Sequence, residues 1–406
     1  MQRPGNGTLV FILAGLLVLS IVFILLFAVP GLVYPTDDNP SISLLYASAG
    51  SMPQLLNTNQ IDAFLIWEPV VSNAQLSGIG KRIAVPADLP PPGKWNNSAI
   101  NVLVLRNRVI SQEPDSSALL SALTTAAINR TSEDPALAEN ITATWVFGNN
   151  PILTPVGSLN PITVEEQSFA NMAFTARAVP PESGIVQSVM ATTTDTAYNP
   201  LSMMNVSVAR RGEQFLNGSL VPHTGGSVPT INIGYIPSTD NYAPLYVMVK
   251  DSTYFCNRYN FCLVADNPQA SRPTSCTLLV QGEPFAKVNL IPGQSGGGIM
   301  TTIGQNALDG AFVGSVPAEL QIGLGNPSSI IQSINTGGSG LVVGNKAPCR
   351  DWPGFVRWAK TRSAAGKPLV IATVQSSIQE DMVREACTYE NITVTLYGTN
   401  FETDFT

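Results

Sequence analysis

Short apolar strand patterns alternate with helical ones from residue 41 onward, and that alternation confines the chain to an α/β fold. Ile231, Ile233 and Tyr235 alternate with Asn232 and Gly234 as a strand does. Residues 237–241 then form a polar turn before a second apolar run over 243–249 that could pack against the strand. The same reading predicts strands over 41–46, 61–66, 81–85, 101–105 and 392–396. Helices are predicted over 50–60, 70–76, 114–129, 135–147, 164–176, 186–190 and 352–360. Another begins at Ser377, three residues before Glu380, the spacing of a capping box.

Composition removes several function classes. Only 12% of the 406 residues are charged and the net charge is −7, against a nucleic-acid binder with its clustered Lys and Arg. The single histidine, His223, sits among turn residues, which argues against Ser-His-Asp and Cys-His triads and His-rich metal sites. None of the five cysteines forms a Cys-x-x-Cys pair, so zinc and thioredoxin-type readings are weak. Cys256 and Cys262 are close enough to close a small loop by disulfide in an oxidising compartment. Cys276 could pair with Cys349 or Cys387, and the odd count leaves at least one thiol unpaired within the chain.

Residues 8–34 carry no charge. A run of that length spans a hydrocarbon core of about 30 Å and exceeds the apolar core of an ordinary signal peptide. Arg3 precedes it and Asp37-Asp38 follow, so the positive-inside rule puts the N-terminus in the cytoplasm. The expectation is an uncleaved, single-pass anchor in the cell membrane, with 1–7 a cytoplasmic stub, 35–40 a linker and the rest extracytoplasmic. A long cleaved signal peptide is the alternative. Asn96, Asn129, Asn140, Asn205, Asn217 and Asn391 each begin an Asn-x-Ser/Thr sequon, as in a surface glycoprotein.

The Gly-Tyr-x-Pro strand at 234–237, its polar loop and Ala243-Pro244-Leu245-Tyr246-Val247 resemble the opening of the nitrate/sulfonate/taurine-type (thiamine-precursor-like) solute-binding proteins of ABC importers. Gly293–Ile303 is similar to that family's Gly-rich entry to a helix, and Leu308-Asp309-Gly310-Ala311 to its Leu-Asp-x-Ala strand. Residues 339–343 and the strand over 366–372 that opens the second lobe follow in family order. Ile61-Asp62-Ala63 running into Trp67-Glu68-Pro69 resembles the family's second half, yet here it comes first. The resemblance therefore implies a circular permutation: 41–100 is the second part of lobe 2, 101–217 the C-terminal part of lobe 1, 218–229 a linker joining the ancestral ends, 230–350 the N-terminal part of lobe 1, and 351–406 the first part of lobe 2. Two fragments of different binding domains are the alternative. The implied fold is α/β, a two-lobed periplasmic-binding-protein-like (Venus flytrap) fold with mixed sheets, preceded by one transmembrane helix.

Such a family closes two lobes on a small ligand, and loops at strand ends and helix N-termini should face it. Candidates on those grounds are Ser238, Asp240 and Asn241 after the first strand, and Gly297, Gly298 and Met300 in the glycine-rich entry. Ser315 and Val316 follow a strand, Ser376 and Ser377 lead a helix in the other lobe, and Trp67 and Glu68 form one wall. Each has a plainer reading: the glycines as a turn, the serines as caps, Trp67 as core, Glu68 as a hinge pair. Where the family often has His before Ala-Pro-Leu-Tyr, this chain has Asn241-Tyr242, which opens the ligand class. The expected function is capture of a small polar or anionic solute for an ABC permease and its ATPase. No enzymatic activity, cofactor, metal or nucleic acid is expected. A non-transport surface glycoprotein on the same scaffold is the alternative; an enzyme related to pyrimidine-synthesis proteins is opposed by the lone histidine.

Overall fold

The computed structural model describes residues 39–148, 150–154, 157–194, 196–223 and 227–397. The expected stub over 1–7 and anchor over 8–34 lie outside these residues. Among the described residues no helix is long and apolar enough to cross a membrane.

The strands are β1 (Ser41–Tyr46), β2 (Ala63–Trp67), β3 (Gly80–Ala84), β4 (Asn101–Arg106), β5 (Ile152–Thr154), β6 (Gly157–Leu159), β7 (Met172–Phe174), β8 (Thr230–Tyr235), β9 (Phe261–Ala265), β10 (Ser275–Val280), β11 (Glu283–Pro292), β12 (Gly310–Gly314), β13 (Ser328–Gly337), β14 (Ser339–Gly344), β15 (Leu369–Thr373) and β16 (Thr393–Leu396). Two mixed sheets make the two lobes. One has the order β16-β1-β15-β2-β14-β3, the other β7-β13-β4-β12-β8-β11-β10-β9, and β5-β6 is a separate hairpin.

The sheets share a pattern. In the larger, β11 and β12 flank β8 in parallel, β4 runs antiparallel beside β12, and β13 antiparallel to β4. In the smaller, β1 and β2 flank β15 in parallel, β14 runs antiparallel beside β2, and β3 antiparallel to β14. Parallel pairing requires crossover connections, and the helices that make them cover the sheet faces. That burial is why β2 and β4 read as nearly continuous apolar runs. Ala63, Phe64, Leu65 and Ile66 in β2, and Val102, Leu103, Val104 and Leu105 in β4, are all at most 1% exposed.

Described chain crosses between the sheets from β3 to β4 through residues 85–100, and from β13 to β14 at Gly338. Gly337 and Gly338 have φ of 72° and 69°, a left-handed pair that turns the strand sharply. A Cβ on Gly338 would overlap Asn241 Oδ1, so both backbone and space demand glycine there. The chain therefore passes from the larger sheet to the smaller at Gly338, and β14 lies in the smaller sheet.

The first and second parts of the chain share one core. Trp145, on the helix Pro135–Phe147, stacks on Tyr246 at 4.6 Å and meets Tyr235 of β8 edge-on at 6.0 Å. The apolar run after the turn is itself a helix, Ala243–Lys250. The helix expected over 164–176 is Pro161–Phe169, capped by Asn160, and Met172–Phe174 form β7 instead. Pairing with the edge of β13 pulled those residues into a strand, a long-range effect that local periodicity does not encode.

Cys256 and Cys262 form the expected disulfide. Cys276, Cys349 and Cys387 are buried free thiols, so no pairing of Cys276 with either occurs. Burial pushes the Cys276 and Cys387 thiols up to about 12, which leaves them inert.

Candidate functional site

The ends of β8, β11, β12 and β15 carry short loops that lead into helices, and these converge with the end of β2 on one cleft between the lobes. Its lining includes Thr239, Asn241 and Tyr242 after β8, Gly296 and Gly297 after β11, Gly314 and Pro317 after β12, and Gln375, Ser377 and Gln379 after β15. Trp67 at the end of β2 and Asn101 at the start of β4 complete it. The cavity measures about 40 Å³.

Helix starts supply most of its polarity. Ser295 Oγ caps Gly296–Gly304 by accepting from the Gly298 amide at 3.2 Å, and Ser377 Oγ caps Ile378–Tyr389 by accepting from the Glu380 amide at 3.2 Å. Glu380 in turn accepts from the Ser376 amide at 2.6 Å, one residue before the partner a capping box predicts. Helix N-termini favour ligand groups that accept hydrogen bonds or carry negative charge. No ionisable side chain other than Tyr242 lies among the lining residues.

Amides set the polarity of one wall. Asn101 Nδ2 donates to Asn335 Oδ1 at 3.0 Å, and Asn335 Nδ2 donates to Asn241 Oδ1 at 2.8 Å. That chain, assigned from the hydrogen-bond network, leaves the Asn241 amide nitrogen and the Asn101 carbonyl oxygen at its two ends, both at the cleft. The Trp67 indole N–H is buried with no hydrogen-bond partner among the described residues.

Of the residues expected at a site, Trp67, Asn241, Gly297 and Ser377 come together on the lining. Ser238 and Gly298 are exposed and Ser376 is half-buried, and none of the three is on the lining. Met300 and Val316 are both 0% exposed core side chains, because helical periodicity turns them onto the sheet. Ser315 is equally buried, and its hydroxyl has no partner.

Glu68 and Asp240 lie at the lobe junction rather than on the cleft. Glu68 accepts from the Ser72 amide at 2.9 Å and from Asn171 Nδ2 at 2.6 Å, and its own amide donates to the Gly338 carbonyl at 3.0 Å. It therefore stitches the helix Val70–Leu76 to the opposite lobe. Burial raises its pKa, against the donors that hold it. Asp240 is also 0% exposed and faces Glu165, with burial and then Glu68 pushing its pKa well up. Burial and Asp240 do the same to Glu165. Two buried carboxyls facing each other favour a proton held between them, and the Ser168 hydroxyl is a further donor beside Asp240.

Residue reading missed Asn101, Thr239, Gln375 and Gln379. Asn101 had one signal, a polar residue opening the otherwise apolar run Val102–Leu105. Gln375 and Gln379 had none, since polar residues around a helix start are ordinary.

Residues 225–394 match the NMT1-like family. No curated protein and no solved structure matches the chain.

Proposed function

We propose that this protein, whose residues 225–394 match the NMT1-like family, captures a small polar or anionic solute between its lobes and delivers it to an ABC permease with its ATPase, as the nitrate/sulfonate/taurine solute-binding type does. The observation that carries the reading is the convergence of helix starts on an interlobe cleft whose polar lining consists of neutral side chains and backbone amides. Such a cleft binds through donors without a fixed counter-charge, which suits a neutral or singly charged acceptor-rich solute. Trp67 supplies a flat face for it. No covalent step is called for.

We further infer the permuted order. The family match begins inside the 218–229 linker and ends within β16. The two ends of the described chain are neighbours, β1 and β16 pairing in parallel with Leu44 opposite Leu396. The repeated strand pattern fits a single two-lobed protein opened within lobe 2, with β16 as a second copy of the strand at the cut. Residues 8–34 would tether it to the membrane as a single-pass anchor. Five of the six sequon asparagines, all but Asn205, are exposed and open to glycosylation.

Cleft size favours a second reading. Small-molecule pockets usually enclose about 300–1,000 Å³, against about 40 Å³ here. A surface glycoprotein that reuses the scaffold without transport would keep its cleft shut. A thermal-shift screen against taurine, other small sulfonates, nitrate, bicarbonate and aminopyrimidines separates the two. A solute at 100 times its Kd should stabilise the fold by about 2.7 kcal/mol, and Asn241→Ala should weaken that hit. No shift across the panel, from well-folded protein at both pH 5 and pH 8.5, moves the assignment to the surface protein.

A further inference from the structure

The cleft is narrow for a reason visible beside it. Residues 176–194 and 196–205 lie between β7 of the larger sheet and the helix Val206–Leu216 of the same lobe. Between, they run along the seam where the two lobes meet. The Ala178 amide donates to Ser333 Oγ at 2.9 Å, and the Ala99 amide to the Val179 carbonyl at 2.9 Å. The helix Gly184–Thr193 then packs on two helices at once, Ser315–Gly323 of the larger lobe and Ile378–Tyr389 of the smaller. These helices begin at the cleft, with Pro317 and Gln379 on its lining.

The grip on the smaller lobe is made by backbone amides on carboxylates. Gly184 N donates to Glu385 Oε1 at 3.0 Å and Ile185 N to Asp381 Oδ1 at 3.1 Å. Glu385 also pairs with Lys94 of the 85–100 crossover. On the other side Tyr198 OH accepts from the Ser183 amide at 2.9 Å and donates to Glu319. Glu319 and Asp381 are both 0% exposed, and among the described residues each has one carboxyl oxygen without a hydrogen-bond partner. The segment is thus rooted in one lobe at both ends, and among the described residues its hydrogen bonds to the helix Ile378–Tyr389 come from its own helix N-terminus.

We propose that residues 176–194, together with Tyr198, form a latch that holds the lobes closed over the cleft, kept shut by protonation of the carboxyl groups of Glu319 and Asp381 beneath it. This rests on the solute-binding reading only for its biological purpose; the latch stands on its own contacts. The titratable groups facing the pair are Tyr198 from the latch, Lys94 from the crossover and Glu385 from the helix of Asp381. Burial, then the Asp381 charge, pushes Glu319 up to about 8. Burial and then Glu385 push Asp381 up to about 6, outweighing the Ile185 amide, Ser183 and Lys94, which favour its charged form. Tyr198 is driven up by burial and by Glu319, so it stays protonated throughout. As pH rises through 6 and then 8, two negative charges appear in a buried seam that has one nearby cation, Lys94, already paired with Glu385. The seam opens to hydrate them and the latch lifts.

Hydrogen exchange on the full chain in mild detergent, with rates corrected for intrinsic pH dependence, tests this. Peptides covering 178–193 and 378–389 should lose protection at least tenfold between pH 5 and pH 8.5, while peptides from β8 and β12 hold theirs. Glu319→Gln keeps an oxygen for Tyr198 and cannot ionise, and with Asp381→Asn it should remain protected at pH 8.5. Glu385→Gln, which weakens the Gly184 contact, should loosen the latch already at pH 5. Equal protection at both pH values, the same loss in the Gln/Asn double variant, or loss spread evenly over β8 and β12 overturns the latch. A latch that lifts while nitrate, taurine and aminopyrimidines all fail to bind at pH 8.5 leaves it standing and removes the transport reading instead.

Discussion

Asp240 and Glu165 face each other, two acceptors when both are ionised, and a shared proton makes that contact favourable. Asp240→Asn supplies the missing donor, so it should remove part of the loss of stability at high pH, read as Tm at pH 5 and pH 9. Ser377 carries a cap of the usual kind: Ser377→Ala should cost about 1 kcal/mol in urea unfolding. It should also weaken any bound solute, since Ser377 lies on the cleft. Gly338 is held by conformation and by Asn241. Gly338→Ala should destabilise by about 1–3 kcal/mol. At this scale caps and turns were legible, because Ser377 and the glycines act on neighbours in sequence. The partners of Glu68 and Asp240 were not, since Asn171, Gly338 and Glu165 lie far along the chain and only folding brings them close.

Elements were legible where the local pattern and the tertiary context agree. The strand over 41–46 and the helix over 70–76 have the predicted bounds, and Pro135–Phe147 begins at its proline as expected. β7 was read as helix because its pairing with β13 is non-local. The helix Pro135–Phe147 matters beyond its length, because Trp145 ties the early part of the chain to β8 and Tyr246. Trp145→Ala should cost about 3–5 kcal/mol and lower the urea midpoint of the whole molecule. The Cys256–Cys262 bridge closes a small loop between the helix Ser252–Tyr259 and β9. Reducing it, or Cys256→Ala with Cys262→Ala, should cost about 2 kcal/mol, measured by denaturant unfolding with and without reductant.

For the molecule as a whole, buried carboxyl groups set the response to pH. Glu319, Asp381, Asp240 and Glu165 all bind protons more tightly folded than unfolded, so stability is full at acid pH and falls as pH rises. For Asp381 the fall runs from its ordinary value to about 6, and for Glu319 from its ordinary value to about 8. Each group contributes a slope of about 1.4 kcal/mol per pH unit inside its window. Chemical denaturation from pH 4 to pH 9 should show a monotonic fall; a rise over that range would contradict the assignment. By itself the sequence determined the α/β class, the order of most elements, the disulfide loop and the loops that reach the cleft, because periodicity, turn chemistry and close cysteines act over a few residues. Only the tertiary structure decided that β14 belongs to the smaller sheet, that Asn101 and Gln379 face the cleft, and that Gly184 and Ile185 bond to the helix Ile378–Tyr389. Those depend on which distant segments share a boundary, and a chain read locally carries no record of its neighbours in space.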